Sequence, residues 1–144
     1  MSPKPLYNRV LLKASGEALM GDQGFGIDVN IVDRIASDIA EARAMGVEVG
    51  VVVGGGNIFR GVAVASKGGD RVTGDHMGML ATVINALALA TSLRKLDIDT
   101  VVLSAIAMPD ICESFSQRQA LHHMAQSRGV IFAGGTGNPF FTTE

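Results

Sequence analysis

Hydrophobic and polar positions along the chain repeat with two alternating periods. Residues 8–14 read as a strand, with Val10, Leu11 and Leu12 forming a continuous apolar run, the pattern of a strand covered on both faces. Residues 15–26 contain Gly16, Gly21, Gly24 and Gly26 and read as loop or hairpin. Asp28 then suits a helix N-cap, and Ile31, Ile35, Ile39 and Ala42 recur at helical spacing until Gly46 offers a stop. Residues 47–53 form a second short apolar run that ends in three consecutive glycines, Gly54, Gly55 and Gly56. A long helix is expected over 74–95, with Met77, Leu80, Ala81, Ile84, Leu87 and Ala88 as its apolar stripe. A third strand is expected over 100–103, a helix capped by Ser116 through residue 126, and a fourth strand over 130–133.

Strands alternating with helices imply βαβ units, hence an α/β fold with a mainly parallel central sheet between helical layers. The whole chain, 1–144, is expected to form a single domain. Parallel sheets bind ligands beyond the carboxyl ends of their strands. Here those ends carry residues 13–16, 54–57, 104–107 and 134–138, so the glycine-rich loops fall where a site is expected.

Composition narrows the class. Apolar residues at 47% and charged residues at 18% fit a packed globular chain rather than a disordered one. Twelve basic against fourteen acidic side chains give a net charge of −2 with no basic run, so no nucleic-acid partner is indicated. The single cysteine, Cys112, excludes an internal disulfide framework and fits a reducing compartment. The N-terminus carries no apolar stretch of signal-peptide length and the short apolar runs suggest no membrane partner, so a cytoplasmic location is expected.

Consecutive glycines after a strand let backbone N–H groups converge on an anion, and a helix N-terminus behind them would add positive potential. Gly54, Gly55, Gly56 and Asn57 have this character, and Arg60 just beyond could clamp phosphate oxygens. A tight turn with a solvated Arg60 is an equally good reading of that stretch alone. The P-loop pattern fails at Val62, where a lysine is required, and the dinucleotide fingerprint fails at Phe59 and again at Phe140. Lys13, closing an apolar strand, could neutralise a phosphoryl group in transfer, although many strand-end lysines are simply solvated. Asp75 could accept hydrogen bonds from a ribose or merely stabilise a helix start. Thr136, Asn138, Thr142 and Thr143 beside Phe140 and Phe141 suit a polar planar base, with at least one phenylalanine expected in the core. His76, His122 and His123 lack metal-ligand spacing, so no protein-held metal is expected. No nucleophile–base pair stands out, which fits transfer to an acceptor that is already ionised.

Residues 12–19, 54–61, 74–82 and 135–143 together closely resemble bacterial UMP kinases, members of the amino acid kinase superfamily, in order and spacing. The resemblance implies the three-layer αβα fold of that superfamily and transfer of the γ-phosphoryl of Mg-ATP to UMP, giving UDP. By position it implies that Lys13 and Arg60 are catalytic, and that Lys13, Ala14, Ser15, Gly16, Gly56 and Arg60 contact ATP. Gly55, Asp75, Thr136, Gly137, Asn138, Pro139, Phe140, Phe141, Thr142 and Thr143 would contact UMP. Gly21, Asp22, Gln23, Gly24, Phe25 and Gly26 resemble the segment tied to activation by GTP. Homohexamers and inhibition by UTP are further expectations from the family. Such proteins continue well past residue 144, into a half that supplies adenine contacts and a further lysine, and usually carry aspartate where this chain has Glu144. The chain therefore corresponds to the N-terminal part, and a nucleotide-binding or subunit-assembly fragment without activity is the alternative. An acid-acceptor kinase of the same superfamily fits residues 136–143 less well.

Overall fold

The computed structural model describes residues 4–59 and 68–141. Their elements run β1 (Arg9–Ala14), α1 (Gly16–Leu19), α2 (Val29–Ala44), β2 (Glu48–Val53), α3 (Arg71–Lys95), β3 (Thr100–Ser104), β4 (Glu113–Ser114), α4 (Gln117–Ala125) and β5 (Gly129–Ala133). The five strands lie in the order β1-β2-β5-β3-β4, and each neighbouring pair is parallel. Helices α2 and α3 cover one face and pack on each other, while α4 packs on β5 and β2 from the other face. This is the three-layer α/β arrangement expected from the alternating pattern.

The helix starts are set by side chains that satisfy otherwise unpaired backbone donors. Asp28 accepts from the Asn30 N–H, Asp70 from those of Val72 and Thr73, and Ser116 from that of Gln119. Gly46, at φ 88°, reverses the chain after α2 in a conformation that a side chain would strain. Within β2 the side chains alternate: Val49, Val51 and Val53 enter the core beneath α2 and α3, and Gly50 faces α4. A Cβ on Gly50 would stand 2.8 Å from Met124 Cε and 3.0 Å from the Phe132 ring, so a side chain there would make these side chains of α4 and β5 shift.

Several expectations change. Residues 15–26 are not all loop, because Ser15 caps the single turn α1. Strand β4, two residues long, was too short to leave a period. Strand β1 lies at the sheet's edge, with Leu11 65% exposed, so its apolar run is not covered on both faces. The stripe expected on α3 is split: Met77, Leu80 and Ile84 are exposed, while Ala81 is buried and Leu87 packs against the core. The inner side carries Gly74, Gly78, Ala81, Thr82, Asn85, Ala86 and Leu89. Small and polar residues there let the helix approach the loops at the strand ends, which larger side chains would hold off. Helix α3 alone among the described residues is long and apolar enough to cross a membrane, yet 61% of its apolar window is buried inside this fold.

Leu89 is fully buried and Leu80 is 48% exposed on the same helix. Leu89→Ala is expected to lower the unfolding free energy by about 2–5 kcal/mol and Leu80→Ala by less than about 1 kcal/mol. Urea denaturation of the two variants checks which side of α3 is buried.

Candidate functional site

The carboxyl ends of β1, β2, β5 and β3 bring four loops to one edge of the sheet. Gly54 N–H donates to the Ala14 carbonyl at 2.9 Å, which joins the first loop to the second. A Cβ on Gly16 would lie 2.4 Å from the Gly56 nitrogen, so only glycine permits this contact. Gly55 is pressed against α3 in the same way, its hypothetical Cβ falling 2.8 Å from Ala81 Cβ and 3.0 Å from the Gly78 carbonyl oxygen. Lys13 and Ser15 are exposed beside these glycines, while Ala14 and Gly16 are buried.

Asn57 and Asn85 hold the glycine loop in place. The Asn85 amide nitrogen donates to the Gly54 carbonyl at 2.7 Å and to Asn57 Oδ1 at 2.7 Å. The Asn57 amide nitrogen donates to the Gly26 carbonyl at 2.9 Å and to Asn85 Oδ1 at 3.1 Å. The two backbone carbonyls can only accept, so they fix which end of each amide is nitrogen. All four amide protons are thereby used in a buried setting. Gly26 N–H also donates to the Asn57 carbonyl, which ties residues 21–26 directly to the glycine loop. Phe25, between Gly24 and Gly26, is exposed.

The loop after β5 is held from α3. Thr82 Oγ1 accepts from the Gly134 N–H at 2.8 Å and donates to the Met79 carbonyl at 2.6 Å. Gly137 packs on Ala105 at the end of β3, where a Cβ would meet the Ala105 carbonyl oxygen at 3.1 Å. A cavity of about 180 Å³ opens here between Ala105, Ala133 and Gly135. Thr136 and Asn138 form a local turn, with Thr136 Oγ1 accepting from the Asn138 N–H. Asp75 accepts the Phe140 N–H at 2.6 Å and the Arg71 Nε–H on both carboxylate oxygens. The Phe140 amide, ahead of Arg71, holds the Asp75 carboxyl below its ordinary range against the opposing effect of burial. Asp75 is thus ionised at neutral pH and fixed in direction.

Two readings are corrected by this geometry. Asp75 does not cap α3; Asp70 does, and Asp75 lies a turn further along. Phe140 and Phe141 are 66% and 63% exposed, so neither is a core anchor. Behind the glycines, residues 56–58 form a turn and the body of α3 packs on Gly55, while the helix start expected beyond them falls on residues 60–67, outside the described residues. Arg60, Thr142, Thr143 and Glu144 lie outside the described residues. The residues that sequence reasoning missed are Asn85, Thr82 and Arg71, and the one available signal was the run of small and polar residues on one side of α3. A cavity of about 820 Å³ at β3, β4 and α4 is lined by none of these loops. There His123 is buried between Glu113 and Arg128, a satisfied side chain as expected. Burial pushes the Cys112 thiol up, which suits a packed cysteine rather than a nucleophile. Among the described residues no group of three or more His, Cys, Asp or Glu is arranged to hold a metal.

The amino acid kinase family matches residues 8–142, and the chain belongs to that family. It is 91% identical over 144 residues to a uridylate kinase of Agrobacterium fabrum and 88% identical to one of Rhizobium meliloti. In both cases the match takes in all of this chain and 60% of the relative, so the chain spans about three fifths of those proteins. Among solved structures, UMP kinase from Bacillus anthracis superposes with a TM-score of 0.89 at 39% identity, over 95% of this chain and 57% of that one. UMP kinase from Ureaplasma parvum gives 0.88 at 36% identity, over 95% and 60%.

Replacing Asn85 by alanine leaves buried amide and carbonyl groups of the glycine loop unpaired. Asn85→Ala is expected to cost about 1–3 kcal/mol, read by denaturant unfolding. Faster amide exchange is expected at residues 54–57 and 26 together, because both segments hang on the same pair.

Proposed function

We propose that this chain is part of a UMP kinase, which transfers the γ-phosphoryl group of Mg-ATP to UMP and releases UDP and ADP. The observation that carries the reading is the meeting of three loops at one sheet edge: Lys13 to Gly16, Gly54 to Asn57, and the β5 loop bonded to Asp75. The names of the relatives supply the substrate.

The bond that breaks joins Pγ to the β–γ bridging oxygen of ATP, and the bond that forms joins Pγ to a phosphate oxygen of UMP. The acceptor oxygen is already largely ionised near neutral pH, with a second phosphate pKa of about 6, so no general base is required. Mg²⁺ enters on the ATP phosphates as part of the substrate. Positioning and charge neutralisation then provide most of the catalysis. In this reading Lys13 and Arg60 stabilise the group in transfer, with Ala14, Ser15, Gly16 and Gly56 along the ATP phosphates. Gly55 and Asp75 face UMP, the fixed carboxylate accepting from its ribose, and residues 136–143 surround the uridine. GTP acting on residues 21–26, inhibition by UTP, a homo-oligomer and a cytoplasmic role in pyrimidine nucleotide synthesis belong to the same reading. The Gly26–Asn57 bonds give the GTP segment a direct route to the glycine loop.

A second reading is nucleotide binding without turnover, for a chain that spans about three fifths of the length of its relatives. A coupled UDP-formation assay on this chain and on a version extended to the relatives' length separates the two. The extended protein is expected to phosphorylate UMP, with Lys13→Ala lowering kcat by about 10²–10³-fold. No activity with UMP in the extended protein would overturn the substrate.

A further inference from the structure

The Asp75–Phe140 hydrogen bond is the point where α3 grips the outer end of the β5 loop. One side chain touches both of its partners. The Arg71 Nε–H reaches Asp75 Oδ1 at 2.9 Å and Oδ2 at 3.0 Å, and the guanidinium carbon stands 5.5 Å from the centre of the Phe140 ring. Phe140 itself is at φ 68°, a left-handed backbone that a phenylalanine keeps only when its surroundings hold it.

We propose that Arg71 is a positioning residue for the nucleotide acceptor, clamping Phe140 and the Asp75 carboxylate into one rigid wall of the site. This rests on the function proposed above for the identity of the acceptor, and on the geometry alone for the clamp. An exposed (i, i+4) ion pair on a helix contributes little by itself. Here the carboxylate is buried and already bonded to a backbone amide, so the arginine acts on a fixed partner. The ring contact adds a requirement that charge alone does not meet. A planar guanidinium can face an aromatic ring and donate in its own plane, whereas a lysine ammonium offers a compact charge without that plane. Arg71 acts through Asp75 and Phe140, the two residues that would border the ribose and base. Loss of the arginine frees the strained Phe140 backbone to relax, and the carboxylate then loses its amide partner.

Two measurements test the clamp, one without any ligand. In the isotopically labelled chain, hydrogen exchange at the Phe140 amide is expected to speed up by about tenfold or more in Arg71→Ala, with Arg71→Lys in between. Unchanged exchange at Phe140 would overturn the clamp, whatever the enzyme does. In the protein extended to the relatives' length, Arg71→Ala is expected to raise KM for UMP about tenfold, with KM for ATP and the thermal midpoint unchanged. Arg71→Lys should restore part of the loss, and Phe140→Leu, which keeps the amide but removes the ring, should move KM for UMP in the same direction. A parallel rise in both KM values, or a loss that tracks thermal stability, would reduce Arg71 to a structural residue and overturn the proposal. If the unsubstituted extended protein does not act on UMP, the proposed function fails while the exchange measurement still decides the clamp.

Discussion

The site's geometry depends on how closely α3 approaches the end of β2. Gly55 lies so near Ala81, Gly78 and Thr82 that any side chain would force them apart. The Asn57–Asn85 pair locks this approach, because each amide also holds a backbone carbonyl of a different loop. Burying four amide protons is costly unless each is bonded, and here each one is. The same helix then holds the β5 loop through Thr82 and Asp75. Three loops from distant parts of the chain are therefore referred to one rigid element.

That constraint explains why α3 was the hardest element to orient from sequence. Three of its large apolar residues, Met77, Leu80 and Ile84, face outward, whereas Met79, Val83, Leu89 and Leu93 are buried, and small and polar residues make its contacts to the loops. With large apolar residues on both sides, a rule that sends them inward does not fix the rotation of the helix. Helices α2 and α4 were legible because their start signals are local: Asp28 and Ser116 cap where their side chains can reach the next turn. The buried strands were legible from short runs rich in β-branched residues, such as Val51 to Val53 of β2. Strand β4 and helix α1 contain too few residues to show any period. The run in β1 gave a strand correctly but its surroundings wrongly, since pairing partners are not encoded in a run.

The candidate site divides along similar lines. Glycines at strand ends, Lys13 and Asp75 could be singled out because residue type and position already limit what they can do. Asn85, Thr82 and Arg71 could not, since an amide, a hydroxyl or a cation on a long helix has no meaning until its partners are known. Phe140 and Phe141 show the same limit in reverse: aromatic character suggested core, while the left-handed turn at Phe140 keeps that ring outside. Exposed aromatic rings beside a fixed carboxylate suit recognition of a nucleoside better than they suit packing.

The central claim is that the loops after β1, β2 and β5 form one nucleotide site organised by α3. An amide chemical-shift titration of the labelled chain with UMP tests it most directly. The account predicts that shifts concentrate together at Gly54 to Asn57, Asp75 and Gly134 to Phe141, and that glutamate at equal concentration leaves them unmoved. Shifts confined to the cavity at β3, β4 and α4, or equal shifts with glutamate, would contradict it.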